Sequence, residues 1–121
     1  MKLRHLSPLF LLALAIALTL TTAQTSRADA APRVIEITAK RFEFMPKQIT
    51  LKKGETVKFR LVSQDVDHGF FLRALKLDEE IAPGQTNEVT VTPQVAGTFT
   101  LICDHFCGAN HGNMMMTVIV E

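Results

Sequence analysis

One short segment near the C-terminus of this sequence, residues 103–114, concentrates the side chains that could bind a metal. It contains both cysteines of the chain and two of its four histidines, and it ends on a methionine. Thiolate and thioether sulfurs are soft ligands and imidazole nitrogen is borderline, so this set favours copper over magnesium, calcium or manganese. The candidate ligands in the segment are Cys103, His105, Cys107, His111 and Met114.

A further candidate ligand, His68, lies earlier in the chain at the start of a predicted strand. Two adjacent loops at one end of a β-sandwich can bring such a histidine to a C-terminal ligand loop. We therefore predict that His68 belongs to the metal site and that Asp65 hydrogen-bonds its non-ligating ring nitrogen, as carboxylates commonly do. Considered alone, His68 could equally be a structural histidine. Asp65 and Asp67 could equally form a solvated turn.

The segments that must position these ligands alternate apolar and polar residues with a period of two, which is typical of half-buried strands. Turn signals separate them at Lys53-Gly54, Ala82-Pro83-Gly84 and Ala96-Gly97, and no segment after residue 30 has a convincing helical pattern. Roughly six to eight short strands without helices predict an all-β sandwich. The predicted strands are residues 33–38, 48–52, 57–62, 68–72, 89–92, 98–103 and 115–120.

The N-terminal segment has the layout of a secretory signal peptide. Lys2 and Arg4 precede an apolar run over residues 9–20, and a polar stretch of small residues follows it. The run has about a dozen residues, whereas a helix that spans a bilayer needs about 20. We therefore predict a signal peptide over residues 1–30 and one domain over residues 31–121, exported to the periplasm or an equivalent compartment without a membrane span. An uncleaved membrane anchor is the alternative.

The charge of the predicted mature chain excludes several classes of partner. Removal of Lys2, Arg4 and Arg27 leaves ten of the 13 basic residues, and removal of Asp29 leaves eleven of the 12 acidic residues, a formal charge of −1. This balance offers neither a basic stripe for nucleic acid nor a polybasic membrane patch. The sequence also supplies no substrate pocket, general base or open metal position, so we do not predict an enzyme. We separately expect the domain to be a monomer.

The ligand spacing resembles one known family. The pattern Cys-x3-Cys-x3-His-x2-Met in residues 103–114, preceded by Asp-Val-x-His-x-Phe in residues 65–70, is similar to the dinuclear copper A domain of cytochrome c oxidase subunit II. Nitrous oxide reductase carries a similar copper A domain. The resemblance implies a cupredoxin-like Greek-key β-sandwich and covers nearly all of the predicted mature chain. It extends through residues 42–46, 53–55, 81–85 and 96–99.

The resemblance also implies a role for each candidate ligand. The thiolates of Cys103 and Cys107 would bridge two copper ions and share the transferred electron between them. The remaining ligands would be His68 and Met114 on one copper, and His111 and the backbone carbonyl oxygen of His105 on the other. The implied function is electron transfer, in which the domain takes one electron from a partner such as a cytochrome and passes it on, for example to an oxidase.

The sequence departs from the oxidase members of this family in three ways. Those members have a membrane hairpin of two helices before the domain and a Trp-containing region for electron entry, whereas this chain has one short apolar run and no Trp or Tyr. His105 also replaces the carboxylate that oxidase members often carry between the cysteines. We therefore expect a separate electron carrier or electron-accepting module instead of an oxidase subunit.

Other interpretations of the same residues stay open. Cys103 and Cys107 could form a disulfide in an oxidising compartment, or Cys107 could join two histidines and Met114 in a mononuclear blue-copper centre. The protein could instead store copper or deliver it to a copper-receiving protein, such as an oxidase under assembly, a role that the run of methionines from Met114 slightly favours. Phe106, between the cysteines, is expected to pack in the core or to shield the site.

Overall fold

The computed structural model describes residues 30–121, so the predicted signal peptide, apart from its last residue, lies outside the described residues. In the described range nine strands form two sheets, which confirms the all-β prediction. Two single turns of 3-10 helix, Arg73–Leu75 and His111–Asn113, are present, and no helix in this part of the chain is long and apolar enough to cross a bilayer. The strands are β1 Arg33–Lys40, β2 Glu43–Met45, β3 Gln48–Leu51, β4 Val57–Ser63, β5 His68–Leu72, β6 Leu77–Ile81, β7 Thr86–Val91, β8 Gly97–Ile102 and β9 Met115–Val120.

Each sheet mixes parallel and antiparallel pairs. The four-stranded sheet has the order β2-β1-β4-β7, and the five-stranded sheet has the order β3-β9-β8-β5-β6. β1 is parallel to β4 and β3 is parallel to β9, whereas the other pairs are antiparallel. Because β8 lies between β9 and β5 and is antiparallel to both, its last residue is opposite the first residue of β9 and opposite Phe71 near the end of β5, and the chain after β8 runs toward the start of β5. The chain segments that precede and follow these strand ends therefore meet at one end of the sheet.

The core lies between the sheets and is formed by the apolar members of the alternating strands. Phe70 of β5 packs edge-to-face against Phe59 of β4 and Phe44 of β2, with ring centroids 5.7 Å apart in both pairs. These contacts join one sheet to the other, and burial of each such side chain contributes about 1.5–3 kcal/mol. Other buried core residues include Ile37, Ala39, Leu51, Val57, Leu61, Leu101, Met116 and Val118.

Two strands were not predicted from the sequence, and three strands, β3, β7 and β8, end one residue earlier than predicted. β2 has only three residues, too few for a period to be recognised. β6 reads Leu-Asp-Glu-Glu-Ile and buries only Leu77 and Ile81; it is an edge strand, and the three acidic residues between them are exposed or half-buried. Charged residues of this kind protect a sheet edge from pairing with other chains. β8 ends at Ile102, so Cys103 is the first residue of the following loop.

Candidate metal centre

The strand pairing described above closes a ligand loop, residues 103–114, between β8 and β9. Ile102 is opposite Met115 of β9 on one side and Phe71 of β5 on the other. The Cys103 N–H donates to the Met114 carbonyl oxygen at 3.1 Å, which fastens the two ends of the loop together. The loop therefore begins beside the start of β5, where His68 lies, and its other end is held next to Cys103.

Two thiols form the middle of the cluster. The Sγ atoms of Cys103 and Cys107 are 3.8 Å apart, and the side chains are free thiols that are only 4% and 3% exposed. Two thiolates this close together could hold a soft metal ion such as copper between them. Together with His68 these thiols present three ligand atoms that all lie within 4.8 Å of one another. The pair is therefore spaced to share an ion.

The structure brings the other predicted ligand atoms to the same two sulfurs. The distances are 4.0 Å from Cys103 Sγ to His68 Nδ1, 3.2 Å from Cys103 Sγ to the His105 carbonyl oxygen, 3.8 Å from Cys107 Sγ to His111 Nδ1 and 3.7 Å from Cys107 Sγ to Met114 Sδ. His105 contributes its backbone oxygen to this cluster, as the resemblance implied. Sulfur and imidazole donors dominate the set, and this donor chemistry fits copper.

His68 is held by a carboxylate on the side of its ring away from the thiols. The residue is fully buried, and its Nε2 lies 2.7 Å from Asp65 Oδ1, as the sequence predicts. A carboxylate at Nε2 favours the tautomer that carries its proton there, so that Nδ1 presents a lone pair toward Cys103. The imidazole is thus oriented for ligation before any metal arrives.

Asp65 itself is anchored by the backbone. Its Oδ2 accepts the Arg41 N–H at 2.7 Å and its Oδ1 accepts the Val66 N–H at 2.7 Å. Partial burial raises the pKa of Asp65, but the hydrogen bonds from Arg41, His68 and Val66 outweigh that effect and lower the pKa from 3.8 to about 2. Asp65 is therefore charged at neutral pH and remains an acceptor for His68.

The pKa of the Cys107 thiol is shifted in the opposite direction from that of Asp65. Burial of this thiol raises its pKa, and the neighbouring Cys103 raises it further, while the charge of Arg41 opposes the rise; the resulting pKa is about 11. Metal-free protein therefore keeps Cys107 protonated at neutral pH. A metal that binds its thiolate must displace this proton, which couples metal affinity to pH.

Gly69, which the sequence analysis did not identify as a site residue, allows the ligand loop to approach β5. Its N–H donates to Cys103 Sγ at 3.3 Å. A Cβ atom on Gly69 would lie 1.9 Å from Asp104 Oδ1 and 2.8 Å from the backbone nitrogens of Asp104 and His105. Any side chain here would therefore push the loop away. The position of this glycine directly after His68 was the available sequence signal.

The outer part of the ligand loop is partly open to solvent. His111 is half-buried, and its ring centroid lies 6.0 Å from that of Phe106, which is 81% exposed. The expectation that Phe106 packs in the core is therefore wrong, because its loop position points it outward. Met116 is buried, whereas Met115 is 46% exposed, as expected for alternate residues at the start of a strand.

Arg41 is a second residue that the sequence did not single out. Its Nε–H donates to the carbonyl oxygen of Cys107 at 2.6 Å, although the two residues are 66 positions apart. Such a contact has no signature in the sequence, because it depends on how the β1–β2 turn packs against the ligand loop.

Comparisons with known proteins agree with this geometry. The model of the family described as "Cupredoxin-like domain" matches residues 10–120, a range that starts inside the predicted signal peptide. Cytochrome c oxidase subunit 2 of Thermus thermophilus is 32% identical over 80 residues, which are 66% of this chain and 59% of that protein. Nitrous-oxide reductase of Cupriavidus necator is 32% identical over 91 residues, 72% of this chain and 14% of the reductase. The matched segment is thus 59% of the length of this oxidase subunit and 48% of the length of a second Thermus thermophilus subunit 2.

A solved structure supports the fold independently. The periplasmic domain of subunit II of cytochrome oxidase from Bradyrhizobium japonicum superposes with a TM-score of 0.69 over 76% of this chain and 86% of that domain. At 19% identity this likeness shows the fold alone. Both relatives named by the sequence resemblance are therefore found by comparison, and this chain belongs to the cupredoxin-like domain family.

Proposed function

We propose that this domain binds copper and transfers electrons through a dinuclear centre of the copper A type. The observation that carries the proposal is the convergence of two buried thiols, 3.8 Å apart, with two imidazole nitrogens and a thioether sulfur. Membership of the cupredoxin-like family supports it, since relatives of this chain are named as subunits of cytochrome c oxidase. The domain is proposed to act as an electron carrier or electron-accepting module and not as an enzyme.

The distances are compatible with the distribution of ligands that the family resemblance implies. In the proposed arrangement His68 and Met114 serve one copper, and His111 and the His105 carbonyl oxygen serve the other. In each pair one donor contacts Cys103 Sγ and the other contacts Cys107 Sγ, at 3.2–4.0 Å. Each copper would thus be held by the two cysteine sulfurs and by one of these two pairs of donors.

The bound copper would supply one-electron redox chemistry, and the protein's own contribution is to hold the ligands still. His68 is fully buried and fixed by Asp65, and Cys103 receives the N–H of Gly69. The two ends of the ligand loop are joined by the bond from Cys103 to Met114. Ligands that move little between redox states keep the reorganisation energy small, which favours fast transfer.

We also propose that residues 1–30 are a signal peptide and that the mature domain works in the periplasm or an equivalent exported compartment. The layout of the N-terminal segment, with basic residues before a short apolar run and a stretch of small residues after it, supports this. The proposed partners are a donor such as a cytochrome and an acceptor such as an oxidase.

Copper storage or delivery is the second candidate, and the exposed Met115 beside the buried Met114 favours it, because an accessible thioether is a soft ligand for incoming copper. The two functions differ in how firmly copper is held. An electron carrier retains copper through repeated cycles of oxidation and reduction in the presence of a chelator. A delivery protein loses its copper to the chelator or to a receiving protein.

The decisive experiment counts the copper. Protein reconstituted with copper should contain about two ions per chain, and its electron paramagnetic resonance should show an unpaired electron coupled to two copper nuclei. Cys103→Ser removes one of the two proposed bridges and should leave a mononuclear or empty site. One copper per chain with an unaffected Cys103→Ser variant contradicts the dinuclear centre and supports the blue-copper alternative, in which Cys103 has no role.

A further inference from the structure

Arg41, in the turn between β1 and β2, is hydrogen-bonded to both halves of the candidate centre. Its Nε–H donates to the Cys107 carbonyl oxygen at 2.6 Å, and its backbone N–H donates to Asp65 Oδ2 at 2.7 Å. The other oxygen of Asp65 holds His68 at 2.7 Å. One residue outside both ligand-bearing segments thus connects the ligand loop with the carboxylate that orients the remote histidine.

The Arg41 side chain forms a hydrogen bond to the ligand loop from outside it. Within residues 30–121, no other hydrogen bond reaches residues 104–113 from outside the loop; the other bonds of these residues are internal to it. A hydrogen bond from a guanidinium is charge-assisted and stronger than one between neutral groups. The outer part of the ligand loop therefore depends on Arg41 for its polar attachment to the sandwich.

The fit between the turn and the loop is also steric. Gly108 follows Cys107 and has φ +141°, a conformation that side chains disfavour. A Cβ on Gly108 would lie 2.9 and 3.0 Å from ring atoms of Phe42 and 3.4 Å from Arg41 Nε. The backbone of the loop is thus in direct contact with the Arg41-Phe42 turn, with no room for a methyl group between them.

We propose that Arg41 is a positioning residue that holds the ligand loop closed over the two thiols and aligned with His68. The consequence for copper rests on the function proposed above. The closed position of the loop, however, is a property of the metal-free protein and can be measured without copper. Cys103 and Cys107 are 4% and 3% exposed, so a reagent in solution reaches them only when the loop opens.

Alkylation of the metal-free protein by iodoacetamide measures that opening. The thiolate sulfur bonds to carbon, iodide leaves and the thiol proton passes to solvent. Arg41→Gln removes the charged donor. We expect about tenfold faster alkylation, because a hydrogen bond from a charged group favours the closed over the open loop by about tenfold or more. Loss of the positive charge alone would make the thiolate less available and would slow the reaction. An increase in the alkylation rate therefore indicates that the loop opens more readily. Arg60→Gln is the matched control, since Arg60 is exposed on β4 and makes no hydrogen bond to the ligand loop.

The same variants are then compared for copper. We expect Arg41→Gln to bind copper about tenfold more weakly, within the range typical of residues that support metal ligands, and Arg60→Gln to match the parent protein. An alkylation rate of Arg41→Gln equal to that of the parent overturns the proposal. If the parent protein binds no copper, the proposed function fails, and the alkylation rates still decide the role of Arg41. If Arg41→Gln does not fold, Arg41→Met, which keeps the aliphatic part of the side chain, is tested against the same criterion.

Discussion

Replacement of Gly69 by alanine tests how closely the ligand loop must pack against β5. The added Cβ would lie 1.9 Å from Asp104 Oδ1 and 2.8 Å from the backbone nitrogens of Asp104 and His105. The Asp104 side chain can rotate away from the methyl group. The two backbone nitrogens cannot, so the whole start of the loop must withdraw.

The size of the effect follows from these distances. The loop must move by about 0.6 Å to take the two backbone nitrogens from 2.8 Å to 3.4 Å, where ordinary contact with the methyl group begins, and overpacking of this kind costs about 1–3 kcal/mol. A domain of this size loses about 4–8 °C of melting temperature per kcal/mol, so a fall of about 4–24 °C is expected for the metal-free protein. The same movement lengthens the 3.3 Å contact from the Gly69 N–H to Cys103 Sγ and lowers copper affinity by about tenfold or more.

Thermal unfolding followed by circular dichroism, together with a copper titration, provides the assay. Gly112→Ala is the matched control, because Gly112 lies in the same loop and a Cβ there has no atom within 4 Å. A further Asp104→Ala substitution in the Gly69→Ala background removes the nearest clash but leaves the two backbone contacts. It should therefore restore only part of the lost stability.

Two results would refute this reasoning. Equal melting temperatures for Gly69→Ala and Gly112→Ala would mean that the loop does not need its close approach to β5. Full recovery after Asp104→Ala would mean that the flexible side chain, and not the loop backbone, opposes the methyl group.

Three further predictions concern the ligands and the N-terminus. Asp65→Asn should weaken copper binding by about 10–100-fold without unfolding the domain, because the carboxylate orients His68; a titration that matches the Asp67→Asn control contradicts this role. Copper affinity should rise with pH between about pH 6 and 8, by about tenfold per pH unit for each thiol proton displaced, because the pKa of Cys107 is raised to about 11; titrations at several pH values in non-coordinating buffer measure it, and a pH-independent affinity contradicts it. N-terminal sequencing of the exported protein should find a chain that begins near Ala31, whereas an intact chain in the membrane fraction supports the anchor instead.

Much of the fold could be predicted because half-buried strands leave a local signal. In β4, Val57, Phe59 and Leu61 face the core and alternate with more exposed residues, as their sequence pattern indicates. β6 had no such pattern, since an edge strand exchanges apolar residues for charged ones on its open side. Pairing order was also beyond the pattern, because period two says which face of a strand is buried but not which strand lies beside it.

The candidate site also has parts that could be predicted from the sequence and parts that could not. The donors of residues 103–114 are close in sequence, so the sequence alone places them in one short loop, although the pairing of β8 with β9 closes that loop. His68 was predicted from its motif, but its position beside Cys103 depends on the pairing of β5 with β8. The exposure of Phe106 was predicted wrongly, since an apolar residue in a loop can face solvent when the ligands beside it face inward.

From the sequence alone we could predict copper as the metal, because soft donors lie at a spacing that one loop can supply, and the all-β class, because residues alternate along each strand. How that loop is held could be seen only in the packed domain. The contacts of Gly69 with Cys103 and of Arg41 with Cys107 join residues 34 and 66 positions apart. Such contacts exist only after the strands have paired, because chain segments that are distant in sequence acquire fixed distances only through the packing of the whole domain.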